Sequence, residues 1–530
     1  MTEPADDLWG PRLAAAGWYG TWLVMVALSL MPVWAVRMPP LQDYPQHLLQ
    51  VKIATSLEGS NELRGACQVS TAVRPYSMFF LSTLCFSKYA DIETAGKLSL
   101  TVLVLLTGIL VLVNGRPGPG GEPRWGALLL FPLAFHQQYY LGNLDYCLSL
   151  PIALMGLGAL LPSKEAPTTG AAILRTVVLS LILFAGHPSV LLAYAGLGLV
   201  AAIHDVARGR AGPGAFLPVA APPLALALWF VVRRQQNTGI PGGLDSAPSW
   251  SSLGQGLAYI LLPFTDFHCY GNPIGVGSVL WLLAGLLVAR AWWNQRGQRD
   301  PASERLLCWC ALTVVAVFVL PMQWGQFSFV GYRYAALSYG LLGLVAARRR
   351  IRGASALACV ILAGALTAHG VLRQCLIASE STEILPLIDR MAPGERVLPL
   401  DFDPGSTLLD AFYFDVHLHD PNYYHLLKNG GLDPYLPDND LHHVQYRPGK
   451  RPPAPDEYFP QQFRWAEHAA PYRYFLLRGE VPLPPDLDLS RAWMLISRTA
   501  EPLSKELAGH VRHVATSGRW VLLEKSAPDH

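Results

Sequence analysis

Asp43, Tyr44 and His47 stand within five residues of one another in the stretch Leu41-Gln42-Asp43-Tyr44-Pro45-Gln46-His47. A carboxylate, a phenol and an imidazole this close can move protons or hold a cation. If residues 42–57 form a helix, Asp43 and His47 are i and i+4 and share one face. Leu48, Leu49, Val51, Ile53 and Leu57 are then free to face lipid. A carboxylate at a membrane interface can take the proton of an acceptor hydroxyl as general base, or ligate a metal. Asp43 also precedes Pro45, and an aspartate ahead of a first-turn proline is an ordinary helix start.

Other chemistry-bearing groups follow along the chain. The stretch Gln137-Gln138-Tyr139-Tyr140-Leu141-Gly142-Asn143-Leu144-Asp145-Tyr146 is a polar, aromatic turn. Its aromatics suit an interfacial belt. Asn143 and Asp145 fit that role less well, because ionisable groups at membrane level are costly and tend to be functional. His187, ahead of Pro188, lies between two apolar runs, where a histidine more often serves as a structural hydrogen-bonding group. Asp266 and His268 sit in a loop just before another run, and a solvated loop is the plain alternative. Arg333 lies a few residues inside the end of a run, where a guanidinium either snorkels to headgroups or grips a phosphate. Lys52, Arg74 and Arg373 are weaker candidates for that role. Towards the C-terminus, Asp401-Phe402-Asp403 has D-x-D spacing, and His417 and His419 alternate as they would on a strand, so they could share a metal.

The elements that must position these groups are membrane spans. The chain has 530 residues, 52% hydrophobic and 15% charged, against about 25% charged for a soluble domain. Mean hydropathy is +0.28. The apolar residues gather in runs of about 20, the length that crosses a bilayer. The first two runs are Trp18–Val36 and Thr94–Val113. Others follow at 125–140, 145–161, 171–186, 189–204, 216–232, 274–293, 306–322, 329–347 and 355–373, making about eleven crossings. The N-terminus lacks a basic region and a small-residue cleavage site near Val36, so the first run reads as a retained anchor. Tyr76–Lys88 is apolar but short, and reads as a juxtamembrane or re-entrant helix.

The basic residues test this layout. With residue 1 in the cytoplasm, Arg116 and Arg124, Lys164 and Arg175, Arg208 and Arg210, Arg290 to Arg305, and Arg348 to Arg352 all fall inside, as the positive-inside rule requires. Counting Tyr76–Lys88 as a crossing would place them all outside. The outer side then receives Asp43, the 137–145 turn, His187, the 235–272 loop, and everything after about residue 379. Residues 1–378 thus read as a transmembrane domain. Residues 379–530 are rich in Pro and Asp, and read as one external α/β domain with strands near 396–400, 472–478, 493–497 and 520–524. Net charge is +2, which gives no sign of nucleic acid. The eight cysteines are scattered, without a disulfide framework or a CxxC pair.

This layout resembles the GT-C class of integral-membrane glycosyltransferases, which includes protein O-mannosyltransferases, bacterial aminoarabinose transferases, arabinofuranosyltransferases and oligosaccharyltransferases. The shared features are an acidic residue early in a long first external loop, juxtamembrane helices, short later loops and an external C-terminal domain. Asp43 matches the first-loop acidic residue, and Asp145 more loosely the second external one. Asp43-Tyr44-Pro45-Gln46-His47 also resembles an Asp-x-Pro-x-His pattern of bacterial GT-C-like membrane proteins. Tyr423 to Gly431 resembles part of their external domain.

The resemblance implies transfer of a sugar from a polyprenyl-phosphate donor to a glycan, lipid or protein acceptor at the outer face of a bacterial cytoplasmic membrane. Asp43 would be the base, with His47 and Asp145 beside it. Arg333 would hold the donor phosphate. Tyr44, His187, Asn143, Asp266, His268 and Lys52 would help bind substrate. A divalent metal such as Mg or Mn, if one is used, would take Asp43 and Asp145. Two other classes compete. A flippase for a lipid-linked sugar requires inverted repeats, and none is evident. A non-catalytic envelope scaffold requires that Asp43→Asn be silent.

Overall fold

The structure is a computed structural model. It describes residues 11–117, 122–161, 169–209, 212, 221–226, 228–229, 232, 248–250, 252–261, 276–294, 300–324, 327–328, 330–406, 408, 415–436, 442–479, 507 and 509–526. Most of the apolar runs become helices, since helices satisfy their own backbone groups where water is absent. In chain order they are α1 (Pro11–Ala35), α2 (Tyr44–Ser56), α3 (Met78–Phe86), α4 (Ile92–Gly115), α5 (Leu144–Gly158), α6 (Thr169–Gly186), α7 (Pro188–Ala207), α8 (Val276–Asn294), α9 (Pro301–Val319), α10 (Arg333–Arg348) and α11 (Gly353–Ser381). Among the described residues five stretches are long and apolar enough to cross a membrane: Leu13–Ala35, Ile92–Gly115, Pro188–Ala207, Pro301–Val319 and Gly353–Arg390. Their outer faces expose Leu23, Ile109, Leu192, Val315 and Ile361, an apolar surface that suits lipid rather than water. The run at 216–232 lies largely outside the described residues.

Two local readings of the sequence change. Residues 125–140 are not one α-helical span. Trp125–Phe135 forms a 3-10 helix with Pro132 inside it, followed by a short turn Gln137–Tyr140. Proline removes an i−4 hydrogen bond, and a 3-10 rise of about 2 Å per residue stretches the segment. It is buried from Gly126 to Phe135 and packs against α4, α10 and α11. The second change concerns α2. Leu48, Leu49, Val51 and Ile53 do not face lipid; they are buried inside the protein, against α3, α4 and a helix of the tail, α12 (Asn422–Lys428). At nine residues, α3 is too short to cross.

The tail forms a four-stranded sheet of β2 (Val397–Asp401), β4 (Tyr474–Arg478), β5 (Val511–Ser517) and β6 (Trp520–Lys525) in the order β2-β4-β6-β5. The pair β2–β4 is parallel; β4–β6 and β5–β6 are antiparallel. The expected strand at 493–497 lies outside the described residues. Alternate side chains point to opposite faces of a strand. Val397, Tyr474, Leu476 and Leu522 therefore join the core shared with the helices. Leu398, Leu400, Phe475, Leu477, Val521 and Leu523 form a second core on the other face. A further strand pair crosses from loop to tail: β1 (Cys67–Val69) runs antiparallel to β3 (Val444–Tyr446), with Gln68 opposite Gln445. At the end of the bundle remote from the tail, Arg305 pairs with Asp205, Arg348 with Asp300 and Arg352 with Glu122.

Candidate functional site

The loop ahead of α2 is fixed by backbone contacts to the 137–143 turn. Gln42 N–H donates to the Tyr140 carbonyl at 2.9 Å. Gly142 has φ +79°, and a Cβ there would meet Asp43 N at 2.5 Å and Asp43 Cα at 2.9 Å. Only glycine accepts both that backbone angle and that approach. Asp43 occupies the N-cap position of α2 but its side chain makes no capping hydrogen bond. The helix-start account of this residue therefore does not describe its carboxylate.

The carboxylate instead faces the tail. Asp43 Oδ1 lies 3.2 Å from His419 Nδ1, and the other ring nitrogen, Nε2, lies 3.2 Å from Glu457 Oε1. The same Nδ1 is 3.1 Å from the Gln42 carbonyl. Gln46 Nε2 also lies 3.4 Å from His419 Nε2, so the ring sits among two carboxylates, a carbonyl and an amide. Burial alone would depress His419, but the Glu457 and Asp43 carboxylates outweigh it and hold its pKa well above the usual imidazole value. Gln46 stands beside the ring with its amide donating to the Tyr435 carbonyl at 3.2 Å. The Asp43 side chain is 32% exposed, and its Oδ2 has no hydrogen-bonding partner among the described residues.

His47, one turn further on, turns to the same loop. Its Nε2 donates to the Gly142 carbonyl at 3.2 Å, which fixes the tautomer, and its ring meets Phe79 edge-on at 5.5 Å. Burial lowers its pKa, with Asp43 pulling the other way. His442 adds a third imidazole: Nδ1 lies 3.2 Å from Gln50 Nε2. Burial and then the field of His47 push its pKa down to about 3. Tyr44, by contrast, is a packing residue, buried against Phe79 and Gly96. Lys52 is half-buried, about 13 Å further along the helix axis at 1.5 Å per residue.

A second group lies on the other side of the first turn of α3. Asp145 is buried and accepts the Phe79 N–H at 2.8 Å, so its carboxylate caps α3. Asn143 donates to Gln138 Oε1 at 2.7 Å. His187 caps α7 by accepting the Ser189 N–H at 3.1 Å, and packs edge-on against Tyr76 and Tyr146. Tyr146 donates its hydroxyl to the Arg333 carbonyl. The Arg333 side chain is buried, with Nη1 3.3 Å from Ser189 Oγ. It stands in a cleft between α5, α7 and α10 lined by Tyr146, Leu150, Leu157, Val190, Tyr194 and Leu337. The structure thus sets Asp43 and His47 in one group and Asp145, His187 and Arg333 in another, with Phe79 touching both. Asp266 and His268 lie outside the described residues.

His417 and His419 do not face one another across a common site. His417 and His419 lie in a turn, not on a strand. His417 Nε2 faces Glu380 at 3.2 Å and Nδ1 faces Asp420 at 2.8 Å. In the D-x-D stretch, Asp401 Oδ1 accepts the Asp403 N–H and Asp403 pairs with Arg519. Among the described residues no three His, Cys, Asp or Glu side chains are grouped as a metal site needs. The donors around Asp43 do not fit a metal either, since His419 turns both nitrogens to carboxylates and Asp145 Oδ1 is taken by the Phe79 amide. The residues that local pattern missed at Asp43 are His419, His442 and Glu457. Their types are the only signal, because nothing local ties them to residue 43.

The sequence matches no family model and no curated protein. Among solved structures it is similar to the crystal structure of ArnT from Cupriavidus metallidurans in the apo state. That likeness has a TM-score of 0.56 at 11% identity and covers 96% of this chain and 98% of that one. A match over nearly the full length of both chains shows a GT-C-like, polytopic membrane fold with a C-terminal domain.

Proposed function

We propose that this protein is a multi-pass glycosyltransferase of the bacterial cytoplasmic membrane. It moves a sugar from a polyprenyl-phosphate donor to a hydroxyl of a glycan, lipid or protein acceptor, on the face that carries the tail. The observation that supports this most directly is Asp43: a part-exposed carboxylate at the tail-bearing end of a GT-C-like bundle, with Oδ1 held by His419 and Oδ2 open.

In this reading the acceptor hydroxyl gives its proton to Asp43 Oδ2 as its oxygen bonds to the anomeric carbon. The anomeric carbon–oxygen bond breaks, and the electron pair leaves on the lipid phosphate. Charge builds on that phosphate as the bond breaks, where a preplaced cation is most effective. Arg333, a buried guanidinium beside Ser189, is the cation assigned to that phosphate. His47 holds the Gly142 loop against Asp43. Asp145 acts through structure: it fixes the start of α3, which stands between the two groups. The N-terminus is cytoplasmic and the tail extracytoplasmic, as the basic residues at the opposite end of the bundle support.

The test is sugar transfer in membranes supplied with radiolabelled polyprenyl-phosphate sugars. Asp43→Asn keeps the size of the side chain and removes the base. It should cut kcat by roughly 10²–10⁴-fold, the contribution typical of general base catalysis. Equal transfer by wild type and variant would remove Asp43 from the chemistry.

A further inference from the structure

We infer that His419 is a positioning residue for Asp43, and that through it the tail domain completes the reacting centre. This inference rests on Asp43 being the base.

The contacts carry the argument. His419 arrives from the far end of the sequence, 377 residues from Gln42, whose carbonyl it touches. It is buried, so its hydrogen bonds are not shared with water. Nδ1 faces two acceptors, Gln42 O and Asp43 Oδ1, and Nε2 faces the Glu457 carboxylate. Gln46 Nε2 lies 3.4 Å from that same Nε2; the ring bridges two carboxylates and, in its charged form, donates to both. Its donation to Asp43 Oδ1 restricts rotation of that carboxylate and leaves Oδ2 as the basic atom. Glu457 stands to His419 as a carboxylate stands to the imidazole of a hydrolytic triad: it fixes the ring's orientation and favours its charged form. A base held in one orientation acts faster than one that rotates, because misplacement by about 1 Å can cost 10²-fold.

The surroundings are arranged to keep His419 in place. The tail is tied to the first loop by β1–β3 pairing, by the Asp415 N–H donating to Gln42 Oε1 at 3.1 Å, and by Gln46 reaching Tyr435. His443 stacks on Phe80 of α3 at 4.0 Å. These contacts surround the Asp43–His419 pair, so the pair forms only when the tail is seated.

The chemistry of the two ring nitrogens gives a test that simple packing cannot mimic. The amide nitrogen of Asn sits where histidine's Nδ1 was, and that of Gln where Nε2 was. In the full-length protein, His419→Asn keeps a donor to Asp43, and His419→Gln keeps only one towards Glu457. Transfer from the radiolabelled polyprenyl-phosphate sugar used by wild type should fall roughly 10- to 100-fold in kcat for His419→Gln. For His419→Asn the loss should be only a few-fold, with acceptor and donor KM little changed in both. A second readout needs no turnover: labelling of Asp43 by a water-soluble carbodiimide, followed by mass spectrometry. Carbodiimide reacts with the protonated carboxyl, so labelling should rise in His419→Gln and stay near wild type in His419→Asn. Equal kcat losses in the two variants, or Asp43 labelling that is the same in wild type and His419→Gln, would overturn the inference and leave the transferase reading standing. Failure of wild type to transfer any sugar would overturn that reading, and with it the role given to His419.

Discussion

The Asp43 centre and the Arg333 cleft draw on similar residue types, yet they are built in opposite ways. Asp43 is part-exposed, bonded to His419 and completed by residues from the tail, with His47 and His442 near enough to feel its charge. Arg333 is buried among helices, with an aliphatic and aromatic lining and a single serine partner for its Nη1. A part-exposed carboxylate held at one oxygen and open at the other can exchange protons with an acceptor that comes and goes. A buried guanidinium with one serine partner suits a ligand that brings a single negative charge. The contrast points to a division of labour: proton transfer at the loop–tail seam, lipid-phosphate holding inside the bundle.

The sharpest way to break the seam alone is Gly142→Ala. A non-glycine residue at φ +79° costs about 1–2 kcal/mol, and the added Cβ collides with the Asp43 backbone. The variant should lose nearly all transfer, with a lower melting temperature in detergent, while donor binding persists. Wild-type activity from it would show that the Asp43–Gly142 contact is not needed. At the other centre, Arg333→Gln should lower kcat/KM for the donor roughly 10- to 100-fold, with part of the loss in kcat, because the lost charged hydrogen bond, worth about 1.5–3 kcal/mol, strengthens as the phosphate gains charge. It should change acceptor KM little. A selective rise in acceptor KM would exchange the two assignments.

A smaller effect separates the regions by pH. Burial pushes His443 down to about 4, and it lies 2.6 Å from the Ser70 carbonyl in the seam. Its folded pKa is below the ordinary value of about 6.5, so the unfolded chain binds the extra proton first. Stability from this group is full above pH ~6.5 and is lost on acidification towards pH 4, by up to about 1.4 kcal/mol per pH unit. Melting temperature should drop between pH 6.5 and 4.5, and His443→Gln should flatten that slope. A slope unchanged in the variant would assign the acid sensitivity elsewhere.

The sequence makes some of this legible and hides the rest for physical reasons. Span positions follow from apolar runs because bilayer thickness fixes their length. The charge map brings Asp43, the 137–145 turn and the tail to one side, and the contacts among Asp43, Gly142 and His419 join those three segments. The burial of Leu48, Leu49, Val51 and Ile53 was hidden, because lipid and protein core select the same apolar side chains. The 3-10 helix at 125–135 was hidden by the same uniformity. Strand 511–517, Val-Arg-His-Val-Ala-Thr-Ser, lacks an apolar stripe because it is an edge strand with exposed Arg512 and His513. His417 and His419 looked like a pair since alternation suggests a shared strand face; a turn instead sends them to different carboxylates. The Asp43–His419–Glu457 chain could not be read at all, since no local rule pairs residues so far apart.

The division of labour is tested most directly by equilibrium binding of the radiolabelled polyprenyl-phosphate sugar to purified Asp43→Asn in nanodiscs. The expected result is a Kd close to that of wild type from a protein that no longer transfers sugar. Loss of donor binding together with turnover would place the lipid phosphate at Asp43 and contradict the assignment to Arg333.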